Sequence, residues 1–112
     1  MKAQYEFFAA DGVEWTDGGG TGITQRVLSQ DPDDGTLTRL ARWAPGTITN
    51  AGVIRHEYFE EVYLLSGSIT DLTLGETFTT AYYAARHPGM PHGPYRTDDG
   101  CVMLEIRYNV SR

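Results

Sequence analysis

Lysine is nearly missing from this chain: Lys2 is the only one in 112 residues. With nine basic residues against 15 acidic ones, the formal charge is −6, and no basic cluster offsets it. Such a chain repels phosphate backbones, so nucleic acid is not an expected partner. Long apolar runs are missing too. None approaches the ~20 residues needed to span a bilayer, and no membrane association is expected. The first twelve residues, MKAQYEFFAADG, lack the apolar stretch of a signal peptide. Cysteine occurs once, at Cys101, which excludes an internal disulfide. Together these absences predict a cytoplasmic protein. Cys101 opens the run CVMLEI, a core-strand pattern, and is read as a buried, inert thiol. No segment sustains a 3.6-residue apolar period, so a helical protein is not expected.

What is present points to β-structure. A chain of this length makes one domain with a modest core. ITQRVLS (Ile23 to Ser29) is followed by the turn DPDDG, and TLTRLARWAPG (Thr36 to Gly46) ends in a Pro–Gly stop. EVYLLSGSITDLTL (Glu61 to Leu74) reads as two short strands around a turn at Ser66–Gly67. TFTTAYYAAR (Thr77 to Arg86) suits helix by its alanines and strand by its Thr, Phe and Tyr. CVMLEIRYNV (Cys101 to Val110) alternates as a strand. DGGGTG (Asp17 to Gly22) reads as a flexible surface loop, since no Lys–Ser/Thr pair follows to make it a phosphate cradle. Short strands between Gly/Pro turns predict an all-β, antiparallel sandwich or barrel.

The three histidines, His56, His87 and His92, fall in two short blocks. In the first, GVIRHEYFEEVYLLSG, His56 precedes Glu60 by four residues. In a straight strand that spacing spans about 13 Å, too far to converge on one ion. A turn at Glu57–Tyr58–Phe59 would bring the two together. The second block, RHPGMPHGPYR, carries His92 three residues after Gly89 on a proline-stiffened turn. Two readings stand for these residues: a metal site, or a His56–Glu60 hydrogen-bonded pair and a turn histidine with no metal. Glu61 should face away from Glu60, and Val62 and Leu64 should share the face of Glu60. Tyr58, Tyr95, Trp43 and Met103 are candidates for the wall of an apolar pocket. Arg42, Arg96 and Arg107 are candidate anion contacts.

His56, Glu60 and Gly67 (H-x3-E-x6-G), followed by Pro88, Gly89 and His92 (P-G-x2-H), resemble the two motifs of the cupin superfamily, over about residues 45 to 107. The flavour is similar to the zinc cupins of anti-sigma factors and to cupin diketone dioxygenases. The resemblance implies a single cupin domain over residues 1–112, a double-stranded β-helix or jelly roll, with strands in residues 1–30 completing the barrel or a homodimer paired through AQYEFF. It also implies a divalent metal (Fe, Zn or Mn) held by His56, Glu60 and His92. The sequence departs from the family pattern at four places: Ile54 stands at the first histidine, Ala81 at a glycine, His87 at a proline and Arg96 at an asparagine. The loop from Gly46 to His56 is longer than the family spacing. His87 is then a residue of the mouth rather than a fourth ligand. Two histidines and a carboxylate suit non-haem Fe(II) chemistry or an open Zn2+ site. The implied function is a metal-dependent enzyme on a small organic substrate, by dioxygenase-like cleavage or by isomerisation or cyclisation of a carbonyl compound. Glu57, Tyr58 and His87 are the nearby candidates for a base. The alternative is a cupin that binds or senses a metal or small ligand without catalysis.

Overall fold

A computed structural model describes residues 1–49 and 52–109. The middle of the Gly46-to-His56 loop and Val110, the expected end of the last strand, lie outside them. Among the described residues, eight strands follow a 3-10 turn at Ala10–Gly12: β1 (Thr16–Gly20), β2 (Ile23–Gln30), β3 (Leu37–Trp43), β4 (Phe59–Asp71), β5 (Glu76–Thr79), β6 (Tyr83–Arg86), β7 (Tyr95–Arg96) and β8 (Cys101–Tyr108). The strand path is β1-β2-β3-β8-β4-β5, with β6 and β7 both pairing with β4. All pairings between these strands are antiparallel. The all-β, antiparallel, single-domain expectation is met.

β4 organises the barrel and corrects one expectation. Residues 61–74 do not form two strands about a turn. Phe59–Asp71 is one strand whose register against β8 shifts between Leu64 and Ser66. Its first half pairs with β6 and its second half with β5 and β7, so it passes from one sheet to the other. Gly67 makes this possible. Its φ is +81°, and a Cβ there would collide with Gly100 O and Cys101 Cα. The glycine bends the strand instead of reversing it, because β8 continues the ladder on the other side.

Alternation along the strands builds the interior. Val62 and Leu64 of β4, Ala41 and Trp43 of β3, and Cys101 and Met103 of β8 are all buried in one apolar cluster. Burial pushes the Cys101 thiol up to about 11, beyond what its bond to Thr97 recovers, as expected of an inert thiol. The ambiguous stretch 77–86 resolves as β5 and β6 about a tight turn at Thr80–Ala81, with no helix. Ala81 has φ +74°, the only positive φ of a non-glycine among the described residues. It stands where the cupin pattern has glycine.

Two further expectations are corrected at the N-terminal end. DGGGTG is not a flexible loop: Thr16–Gly20 is strand β1, paired with β2. Absence of side chains lets it lie against Ile23, whose Cγ2 sits 2.8 Å from where a Gly18 Cβ would be. AQYEFF forms no strand, so the edge offered at that end of the sheet is β1. The arm is held instead by side-chain contacts, such as Lys2 Nζ to Thr38 Oγ1 at 2.8 Å. No helix among the described residues is long and apolar enough to cross a membrane.

Candidate metal centre

Glu60 sits on the inner face of β4, 3% exposed. Sheet register decides its neighbours. Its direct partner on β6 is Arg86 and on β8 is Arg107, so a guanidinium flanks it on each side. Arg86 Nη1 donates to Glu60 Oε1 at 2.8 Å and Arg107 Nε to Oε2 at 3.2 Å. Burial alone would raise the Glu60 carboxyl; Arg86, Arg107 and His56 overcome that and hold it below its ordinary value of 4.5. It is therefore ionised at neutral pH.

The two histidines reach Glu60 from loops. Chain direction changes at Glu57–Tyr58, just before β4, which is the bend the spacing demanded, and His56 Nε2 lies 3.9 Å from Glu60 Oε1. His92 is placed by a two-way backbone bridge to Ile54, with bonds of 2.7 and 3.0 Å. Beside it, Gly89 takes φ +82° in the turn His87–Met90, and its N–H donates to His56 O at 2.7 Å. Pro–Gly thus ties the two histidine segments together. The imidazole centroids of His56 and His92 are 4.9 Å apart.

His56, Glu60 and His92 each present one donor atom, all within 4.8 Å of one another. Metal–ligand bonds of about 2.0–2.2 Å set tetrahedral donors about 3.4 Å apart, so binding an ion would draw these donors together by up to about 1.4 Å. Their protonation also fits. His92 Nδ1 lies 3.2 Å from Met90 O, an acceptor, so Nδ1 carries the proton and Nε2 a free lone pair. Burial first, and the nearby arginines second, hold both imidazoles below their ordinary 6.5. Two neutral imidazoles and an ionised carboxylate are a donor set for a divalent metal ion. Opposing it are the two guanidiniums on Glu60, which compete for the same carboxylate.

The cluster lies in the wall of a cavity of about 680 Å³. The charged part of the wall holds Arg39, Arg86, Arg107 and Glu105 beside the cluster; the apolar part includes Leu64, Ile69, Phe78 and Met103.

A family model described as the ChrR cupin-like domain matches residues 3–110. This chain belongs to the ChrR cupin-like family. The cupin resembles an RmlC-like cupin from Shewanella frigidimarina at 17% identity, with 93% of this chain and 90% of that one aligned and a TM-score of 0.72. It resembles an acetylacetone dioxygenase from Acinetobacter johnsonii at 16% identity, covering 94% and 73%, TM-score 0.70. It also resembles a chain of the Rhodobacter sphaeroides complex of SigE with the anti-sigma ChrR at 19% identity, covering 89% of this chain and 52% of that one, TM-score 0.65. At these identities the likeness is one of fold. No curated protein sequence matches the chain.

Within this cupin the residues singled out from sequence divide into two groups. Val62, Leu64, Trp43, Met103, Tyr95 and Arg107 line the cavity. Tyr58 lies behind the ligand cluster, stacked on His56 at 4.5 Å. Three others lie elsewhere. Arg42 is on the outer face, its guanidinium 4.1 Å from the Trp15 ring centroid, because alternation on β3 turns it opposite to Ala41 and Trp43. Arg96 turns outward and pairs with Asp98 at 3.0 Å. His87 is exposed, edge-on to Phe59, so it neither ligates nor lines the mouth; Glu57 is exposed as well. Glu61 faces away from Glu60, as expected, and accepts from the Tyr83 hydroxyl at 2.6 Å. Ile54 lines the cavity beside His92, half-buried against the core.

Sequence reading missed Arg86, Arg39 and Glu105. Arg86 is 26 residues from Glu60 and Arg39 is 66 from Glu105, so no local spacing announces them. The one available signal is charge at inward-facing positions of otherwise apolar strands: Arg39 in LTRLARW and Glu105 in CVMLEIRY.

Proposed function

We propose that this cupin holds a divalent metal ion through His56, Glu60 and His92 and acts on a small organic molecule bound in the adjoining cavity. The observation that carries the reading is the convergence of three correctly protonated donors on the wall of a 680 Å³ cavity. A bound ion there would supply Lewis acidity, polarising a carbonyl oxygen and stabilising enolate-like charge. The reaction class favoured is dioxygenase-like cleavage, or isomerisation or cyclisation of a carbonyl compound. The fold likeness to an acetylacetone dioxygenase supports this class.

The chain's own groups have definable parts in this reading. Arg86 Nη2 donates to the Tyr95 hydroxyl at 3.0 Å, which leaves that hydroxyl's proton to be given elsewhere. Burial of Tyr95 raises its pKa against the pull of Arg86, so it stays protonated. Tyr95 therefore suits proton donation to a ligand oxygen better than Glu57 or His87, both exposed. The apolar part of the wall, with Leu64, Ile69, Phe78 and Met103, would carry the ligand's carbon skeleton.

A second reading has its own support. Ile54 stands where the cupin pattern has a histidine, and the family takes its description from ChrR, an anti-sigma protein. A cupin that binds a metal or small ligand without catalysis fits those facts. Two measurements separate the readings. Metal content of the purified protein is compared with that of His92→Ala; equal content in both defeats the metal site. Oxygen uptake is then followed with the Fe(II)-loaded protein and a panel of diketones, hydroxyketones and keto acids. Silence across the panel after verified loading defeats the dioxygenase and favours the binding module.

A further inference from the structure

Charge inside the cavity runs against the charge of the molecule. The chain carries −6, yet the cavity wall sets Arg39, Arg86 and Arg107 against Glu60 and Glu105. Counting these five side chains, three positive groups against two negative leave one positive charge in excess.

The three arginines are not equally committed. Arg39 gives bonds of 2.8 Å to Glu105 Oε1, 2.8 Å to Gln25 Oε1 and 3.1 Å to Gly18 O, and its side chain is 9% exposed. Arg86 gives 2.8 Å to Glu60 and 3.0 Å to the Tyr95 hydroxyl, and is 15% exposed. Arg107 makes the longest contacts, 3.2 Å to Glu60 and 3.4 Å to Glu105, and is the most exposed of the three at 21%. Each of its carboxylate partners already has a shorter bond to another arginine. Among the described residues its Nη1 has no hydrogen-bond partner. Its guanidinium lies 5.1 Å from the Tyr58 ring centroid, and Tyr58 stacks in turn on His56. That column holds the fork beside the ligand cluster.

We propose that Arg107 is a ligand-binding residue and that the cavity selects a small carboxylic acid, its carboxylate held by Arg107 next to His56 and Glu60. An incoming carboxylate takes Nη1 and displaces the weak 3.4 Å contact at Nη2, giving the two-pronged geometry that guanidinium favours. Glu105 loses little, because Arg39 remains on it. The carbon skeleton then extends along the apolar wall. The inference deepens the proposed function and rests on the cavity being a small-molecule site; it does not require that the metal be bound.

The test compares acetoacetate with acetylacetone, which replaces the carboxylate by a neutral methyl ketone. Calorimetric titrations are run on the wild type, Arg107→Met and Arg107→Lys, in EDTA and again after Zn(II) loading. The wild type should prefer acetoacetate by about tenfold or more, as expected of one charge-assisted contact. Arg107→Met should abolish the preference while leaving acetylacetone binding within about twofold. Arg107→Lys should retain part of it, keeping charge but losing the fork. Circular dichroism and thermal unfolding show that the variants are folded, and where the wild type binds Zn(II), retained Zn(II) binding shows that the cluster is intact. Preference without any Zn(II) binding supports the inference and defeats the metal reading. Equal wild-type affinity for the two probes, a preference that survives Arg107→Met, or no binding of either probe overturns it.

Discussion

Replacing Glu60 by Gln should destabilise the protein even when no metal is present. Glu60 is buried between two guanidiniums, and the amide keeps its size while deleting its charge. Removing one partner of a buried pair costs about 3–5 kcal/mol. Here the cost is discounted, because Arg86 keeps the Tyr95 hydroxyl and Arg107 keeps Glu105, and both side chains retain some solvent. A loss of about 2–3 kcal/mol remains. For a domain of this size that is a fall in Tm of roughly 10 °C. Urea and thermal unfolding in EDTA measure it. The pH dependence gives the sharper check. The Glu60 carboxyl is held below 4.5 in the fold, so its contribution is fully present above 4.5 and is lost as pH falls through the lowered folded value. The gap between wild type and Glu60→Gln should be constant from pH 7 down to about 5 and should close at lower pH. A loss under about 1 kcal/mol at pH 7, or a gap that persists unchanged in strong acid, would refute the buried-pair argument.

Other outcomes follow from single residues. Ala81→Gly should stabilise the fold by about 0.5–1 kcal/mol, since a left-handed alanine costs about 1–2 kcal/mol and glycine's extra unfolded-state freedom returns part of it; a lower urea midpoint would contradict the strain. Ile54→His puts an imidazole beside His92 through their backbone bridge and should tighten Zn(II) binding on the order of tenfold or more, a fourth ligand needing to add only about 1.4 kcal/mol to do so; competition with a chromogenic chelator reads it. Zn(II) affinity should hold from pH 8 to about 7 and fall in more acid solution, because both imidazoles titrate below their ordinary 6.5; a decline starting above pH 7 would contradict their burial. Cys101, buried with its thiol raised to about 11, should react with a disulfide reagent only at the rate of unfolding, and a fast stoichiometric reaction in native buffer would count against that placement.

Much of the architecture could be read without coordinates. Alternating β-formers between Gly/Pro turns identified the strands around Ile23, Thr38 and Met103, and the lone cysteine was correctly read as buried. His56, Glu60 and His92 were legible as a set because the two short blocks that carry them resemble the two cupin motifs, with a bend after His56 and a Pro–Gly turn before His92. The glycine run was misread because glycine's usual turn preference gave no hint of β2 waiting to pair with it. Ser66–Gly67 was misread because a bend with β8 alongside and a chain reversal use the same residues. Arg42 and Arg96 went to the outer surface, since an arginine on a strand faces in or out by register rather than by composition.

From sequence alone come the strand count to within a few elements and the inward face of Glu60, Val62 and Leu64, which follow from short-range periodicity and turn chemistry acting over a handful of residues. The three donor residues come from the likeness of two short motifs to the cupin pattern. Only the tertiary structure decided what surrounds the donors. Arg86 and Arg107 meet Glu60 across 26 and 47 residues of chain because antiparallel register sets β6 and β8 on either side of β4. That register gives an acidic protein a cavity with excess positive charge, and with it the expectation of an anionic ligand.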